Sequence, residues 1–259
     1  MTANAKKIVQ NSENISEQEQ NQIKQKEKHL RLIEGKKRTP SDYFYQVSNP
    51  GELSKIGQSF LSDFKQGVKS FAISSTDYKS AQQRTVLALA CYFDHLFDMR
   101  ILIISDSLHR GIFTDIMVER TVGSVYIPNT DKTIEVSHFH HHFDLIDLSD
   151  LLHLNKTAKP NFEFENAVQN LMKSYDIIFW DTPTINVYKQ NPASYNQTLN
   201  YFESLTIIVS QSVSHSKDVN ELKEYFSSFG VNIKGVLFDT LQMQEEKKKN
   251  KKKWWSIFS

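Results

Sequence analysis

Ser75, Lys79, Arg84 and Thr85 fall within one short stretch, STDYKSAQQRT, directly after an apolar run. Basic side chains beside hydroxyls are the residue types that hold a phosphate. Asp106 and Asp181 each follow a further apolar run, the position of a strand-end acid. One part of that chemistry is missing. A phosphate-binding loop points successive backbone N–H groups inward, a shape that needs positive φ and close backbone approach. No glycine lies between Gly67 and Gly111. The expectation is therefore weak or absent nucleotide binding, and no catalytic residue is assigned.

The elements that must position these residues alternate along the chain. Strands are expected at Phe71–Ser75, Arg100–Ser105, Tyr175–Asp181, Leu205–Ser210 and Ile233–Asp239. Several are continuous apolar runs, the mark of strands covered on both faces. Helices are expected at Thr85–Phe97, about Phe162–Ser174, about Ser194–Glu203 and Ser216–Phe229, the last stopped by Gly230. A further helix over Ile56, Phe60, Phe64 and Val68 leads into the first strand. This order predicts a doubly wound, mainly parallel α/β sheet with helices on both faces. Ligands should bind where Ser75, Ser105, Asp181 and Ser210 end their strands. Gly123–Leu148 holds shorter β-like pieces (VYIP, TIEVSHF, FDLIDL), of which one is expected to join the sheet. Residues 1–39 are polar and read as a partly helical arm, 40–243 as the α/β domain, and 244–259 as a basic-aromatic tail.

Composition narrows the class. The chain has 259 residues, 39% hydrophobic and 24% charged, as in globular proteins. No apolar run reaches the roughly 18 residues of a membrane span, and Met1–Gln20 lacks the apolar core of a secretory signal. Cys91 is the single cysteine, so no internal disulfide forms, and a reducing cytosol fits. Residues Lys247–Lys253 hold six of the 31 basic residues. Without them 25 basic residues face 30 acidic ones, so the body is mildly acidic and nucleic acid is not an expected partner.

Three other groups invite a reading. His138, His140, His141 and His142 suggest a metal, but neighbours on a strand alternate faces and no acid or thiol motif completes a set, so no metal site is expected. Asp144, Asp147 and Asp150 recur every three residues and read as the polar face of an amphipathic turn. The tail joins Lys247, Lys248, Lys249, Lys251, Lys252 and Lys253 to Trp254, Trp255 and Phe258. Lysines attracted to an anionic leaflet, followed by indoles that favour the interface, make a two-signal peripheral anchor. Docking of the same aromatics into a partner protein is the alternative. No GxSxG elbow supports nucleophilic catalysis.

Three motifs in order give the chain a resemblance. The strand-loop-helix Phe71–Ala90, the strand end IISDSLHRG and the strand YDIIFWDTPT, with LTIIVS and GVLFD after them, resemble the cytoplasmic domain of bacterial tyrosine kinases of polysaccharide export. Those are relatives of the MinD/ParA ATPases within the P-loop NTPases. The resemblance covers roughly residues 50–239. The family's first loop has the form GEGK[ST]. Here Lys79 lies toward the loop's start, and Arg84 and Thr85 stand near the expected Lys-Ser/Thr pair. The family's second motif, DxDxR, reads with serine at both acid positions, Ser105 and Ser107, and with Asp106 between them. Asp181-Thr182-Pro183 matches the third. The family's C-terminal tyrosine cluster is missing, since the last tyrosine is Tyr225.

The resemblance implies a catalytically degenerate regulator or scaffold of capsule or exopolysaccharide assembly. It would sit in the cytoplasm, peripheral on the inner face of the membrane, with no cofactor. Its tail would meet the membrane surface or an inner-membrane polysaccharide co-polymerase-like protein, and self-association is left open. Two alternatives stay open. One is an active ATPase or tyrosine kinase using Mg-ATP, with Lys79 or Arg84 on phosphate and Asp181 on Mg²⁺. The other is a MinD/ParA-like, membrane-associated positioning protein.

Overall fold

Phe71, Ala72 and Ile73 turn alternately to opposite faces of the central strand, and all three are fully buried. The computed structural model describes residues 50–76, 79–117, 120–127, 132–139, 143–154, 160–210 and 215–239. Within them run α1 (Pro50–Lys65), β1 (Ser70–Ser75), α2 (Lys79–Phe97), β2 (Ile101–Ser105), α3 (Ile112–Ile116), β3 (Thr121–Tyr126), β4 (Thr133–Phe139) and β5 (Phe143–Asp147). Then come α4 (Leu148–His153), α5 (Pro160–Ser174), β6 (Ile177–Asp181), α6 (Ile185–Gln190), α7 (Pro192–Tyr195), a 3₁₀ turn (Asn196–Tyr201), β7 (Ser204–Ser210), α8 (Ser216–Ser228) and β8 (Ile233–Asp239).

The strands form one eight-stranded sheet in the order β3-β4-β5-β2-β6-β1-β7-β8. All neighbours from β5 to β8 are parallel, while β4 runs antiparallel to both β3 and β5. The fold is thus the expected mainly parallel α/β sheet. Two cores cover it. Phe71, Ile73, Ile101, Ile103, Ile177 and Phe179 pack with α1, α2 and α3 on one face. Ala72, Leu102, Ile104, Ile178, Trp180 and Ile207 pack with α4, α5, α6 and α8 on the other. Strict alternation between two apolar faces is why these strands read as continuous apolar runs.

Four expectations need correction. All three pieces of Gly123–Leu148 join the sheet, as β3, β4 and β5, because the hairpins let antiparallel strands extend a parallel sheet. α2 begins at Lys79, six positions before Thr85, since nothing in KSAQQR breaks a helix. The connection from β1 is therefore only Thr76–Tyr78 long. The helix expected over Ser194–Glu203 is a short α7 opened by Pro192 and continued as a 3₁₀ turn, with α6 before it. Asp144, Asp147 and Asp150 do not form one polar face. Asp144 stands on β5, Asp147 caps α4 by accepting the Ser149 N–H at 2.7 Å, and Asp150 lies in the first turn of α4. The arm 1–39 and the tail from residue 240 lie outside the described residues.

Candidate functional site

Parallel pairing gathers the strand ends at one edge. β6 lies between β2 and β1, and its last residue, Asp181, stands in register with Ser105 on one side and Ile73 on the other. The short β1–α2 connection then brings the first turns of α2 over that edge. Among the described α2 side chains, Gln82 meets the carboxylate. Its Nε2 donates to Asp181 Oδ1 at 2.6 Å and to the Thr182 carbonyl at 2.9 Å. Its Oε1 accepts the Ser75 hydroxyl at 2.8 Å. This network sets the orientation of the amide, because a flipped Gln82 would face two acceptors with a third.

The other carboxylate oxygen, Oδ2, accepts from Ser105 Oγ at 2.5 Å and Ser107 Oγ at 3.3 Å. The Ser107 N–H donates to Ser105 Oγ at 3.1 Å, which holds the loop against the strand end. Gln83 secures the same loop from above. Its Nε2 donates to Ser107 Oγ at 3.1 Å and to the Arg110 carbonyl at 3.2 Å, while its Oε1 accepts the Ile112 N–H at 2.9 Å. Gly111, at φ 63°, is needed there, since a Cβ would come within 2.5 Å of Gln83 Oε1. Gln82, Gln83, Ser105, Asp181 and Thr182 are each at most 1% exposed. Among the described residues, the arrangement is a buried carboxylate that accepts from one amide and two hydroxyls.

The sequence candidates divide around it. Ser75 and Asp181 belong to the network. Arg84 lies about 200° round α2 from Gln82, and its guanidinium pairs with Asp239 at the end of β8, 2.9 Å away. The Thr85 hydroxyl donates to the Ala81 carbonyl one turn back, at 2.9 Å. Lys79 is the first residue of α2. Asp106, half-buried between the two serines, lies near Tyr188 and Tyr195. Burial pushes both phenols up, and the Asp106 charge adds to that effect. Gln82 and Gln83 were not among the sequence candidates. The signal for them was two adjacent amides in an otherwise apolar helix, close behind a strand end.

A second polar cluster lies at the opposite ends of the strands. His138 and Asp144 face each other across β4 and β5, with Nδ1 and Oδ1 2.7 Å apart. The Tyr175 hydroxyl donates to Asp144 Oδ2 at 2.6 Å. Burial, with that hydrogen bond and the Asp144 charge, pushes the phenol up. Asp144 and Tyr175 line a cleft of about 260 Å³ with Asp98, Arg100 and Phe143. His140, His141 and His142 lie outside the described residues. Among the described residues no group of three His, Cys, Asp or Glu could hold a metal ion, and no helix is long and apolar enough to cross a membrane.

No protein-family model matches the chain, and no curated protein matches it. Solved structures do match. The kinase domain of Escherichia coli tyrosine kinase ETK superposes with a TM-score of 0.55 at 18% identity, over 76% of this chain and 79% of that one. The chimerical protein CapA2B2 gives 0.54 at 14% identity, over 75% and 86%. The VpsO kinase domain gives 0.51 at 16% identity, over 73% and 96%. The chain has the fold of the bacterial tyrosine kinase domains.

Proposed function

We propose that this chain is a non-catalytic counterpart of those kinase domains, a regulatory or scaffolding component of cell-envelope polysaccharide assembly. One observation carries the reading: Gln82 donates to a fully buried Asp181 that Ser105 and Ser107 also bond. An acid that holds Mg²⁺ must present oxygen to water or metal, whereas Asp181 is fully buried and accepts from Gln82, Ser105 and Ser107. A phosphate site needs a cation and a cradle of N–H groups. Gln82 brings no charge, Arg84 is paired with Asp239, and the connection Thr76–Tyr78 contains no glycine. Among the described side chains of this edge, none supplies the free charge that Mg-ATP needs, which supports a reading without nucleotide.

The resemblance supports the setting, since the motifs that carry it are those of polysaccharide-export kinases. A scaffold needs an attachment point. The lysines Lys247–Lys253 with Trp254, Trp255 and Phe258, outside the described residues, supply one. They would act at the inner face of the cytoplasmic membrane or on an inner-membrane partner there.

Calorimetric titration of the full chain with Mg-ATP tests the reading. The expected result is no saturable heat, and hydrolysis equal to that of Asp181→Ala. Saturable binding that Asp181→Ala abolishes would overturn it and favour an enzyme.

A further inference from the structure

The two edges of the sheet are finished differently. On β8, Lys234 is tied to Asp63 and to the Ser59 carbonyl, and its ammonium lies over the Phe60 ring. The β7–β8 ladder also shifts register between Leu205 and Thr206. A lysine and a bulge are devices that stop an edge strand from pairing further. β3 has neither. Its sequence, TVGSVY, carries no charge and no proline, and it is rich in residues that favour strands. Among the described residues nothing pairs with its outer edge.

We propose that a second copy of this chain pairs there, antiparallel and two-fold about Ser124, joining two sheets into one. The hydrogen-bond phase of β3 sets the register. The Ile127 N–H donates to the Lys132 carbonyl, so that pair closes the hairpin. Antiparallel ladders alternate bonded and non-bonded pairs. The backbone groups of Tyr126, Ser124 and Val122 therefore point away from β4. A two-fold axis through Ser124 sets Ser124 against the partner's Ser124, and Val122 against the partner's Tyr126 on both sides. Those are the residues whose N–H and C=O groups point outward, so every ladder bond finds a mate.

The side chains agree with the backbone. Val122, Ser124 and Tyr126 share one face, and Val122 and Tyr126 are 57% and 56% exposed. The pairing turns them into two β-branched–aromatic cross-strand pairs flanking a serine pair, a favourable combination. Charge does not oppose it. The strand is neutral, and the nearest charges, Arg120 and Glu135, lie 4.0 Å apart and compensate each other within one copy. Asn170 Nδ2 touches the Tyr126 carbonyl at 3.5 Å, a contact long enough to yield to a ladder bond. One strand supplies both halves of every pair, which favours a second copy over an unlike peptide.

Cysteine cross-linking of the full chain tests the register. The native Cys91 is buried, so an introduced thiol reports alone. Directly opposed residues lie within disulfide reach. Under oxidised glutathione, Ser124→Cys should give a covalent dimer in high yield, and Val122→Cys little, because it faces the partner's Tyr126. Sedimentation equilibrium should show a dimer that Val122→Lys plus Tyr126→Lys weakens at least tenfold. A monomeric wild type, equal cross-linking of both cysteine variants, or none by Ser124→Cys would overturn the proposal. Should the lysine variant fail to fold, the cysteine pair still decides.

Discussion

The Gln82 amide bonds the Asp181 carboxylate at 2.6 Å, across 99 positions of sequence, and ties the first turns of α2 to the end of β6. The contact joins a helix of one layer to the strand edge where ligands of such sheets bind. Ser75 on β1 and Ser105 on β2 complete it, so three neighbouring strands and one helix share a single buried polar centre.

That centre should contribute to stability. Removing a donor from a buried carboxylate costs about 1–3 kcal/mol, more than an average hydrogen bond gains. Gln82→Ala and Ser105→Ala should each lower the unfolding free energy measured by urea titration by that amount. The double variant should lose less than the sum, since both act on one carboxylate. Strict additivity would mean that the two side chains do not share Asp181.

Gly57 on α1 lies against the Tyr92 ring of α2, where a Cβ would stand 2.2 Å from the ring. Tyr92 is buried and packs edge-on against Phe93, so it has little freedom to retreat. Alanine is the better helix former by about 1 kcal/mol, but overpacking costs about 1–3 kcal/mol. Gly57→Ala should therefore lower the melting temperature. In a Tyr92→Ala background the same change should raise it, and thermal melts of the four proteins read the reversal.

Burial holds the Asp150 carboxyl above its ordinary value, helped by the neighbouring carboxylates of Asp147 and Glu135. Between the ordinary and the raised value the folded state binds the proton more than the unfolded state does. Stability then falls as pH rises through that window. Asp150→Asn removes the penalty. At pH 7 it should be more stable than wild type, by less than about 1 kcal/mol because the group is partly solvated. The difference should vanish below about pH 4, where the wild-type acid is protonated. A gap that is the same at both pH values would exclude charge as its origin.

Removing Lys247–Ser259 should leave the melting temperature of the body unchanged and abolish attachment. Each lysine near an anionic leaflet is worth about 1 kcal/mol. Co-sedimentation with phosphatidylserine-containing vesicles should weaken as salt rises, and should fall on Trp254→Ala plus Trp255→Ala. If the intact chain ignores vesicles but loses a protein partner on the same double change, the tail docks into protein.

Much of the architecture was legible in the amino-acid sequence. Phe71–Ser75, Arg100–Ser105 and Tyr175–Asp181 announce strands because a strand covered on both faces draws apolar residues at successive positions, and that preference is local. Asp181 announces a strand-end acid for the same reason, as the first polar residue after such a run. The helix stop at Gly230 is equally local: its φ of 75° is a conformation glycine adopts without penalty. The three strands of Gly123–Leu148 were less legible, because β3 is exposed and its alternation weak.

What only the tertiary structure decided is which side chain meets which. α2 starts at Lys79, and each residue advances the helix by about 100°. That phase turns Gln82 toward Asp181 and swings Arg84 away to Asp239, 155 positions along the chain. Had α2 begun at Thr85, Arg84 would have lain in the strand-end loop instead. Strand periodicity depends on each residue and its neighbours, so the sequence alone determined the strands β1, β2, β6, β7 and β8. The identity of a partner across the fold depends on helix phase, sheet order and loop length together, and those exist only once the chain has packed.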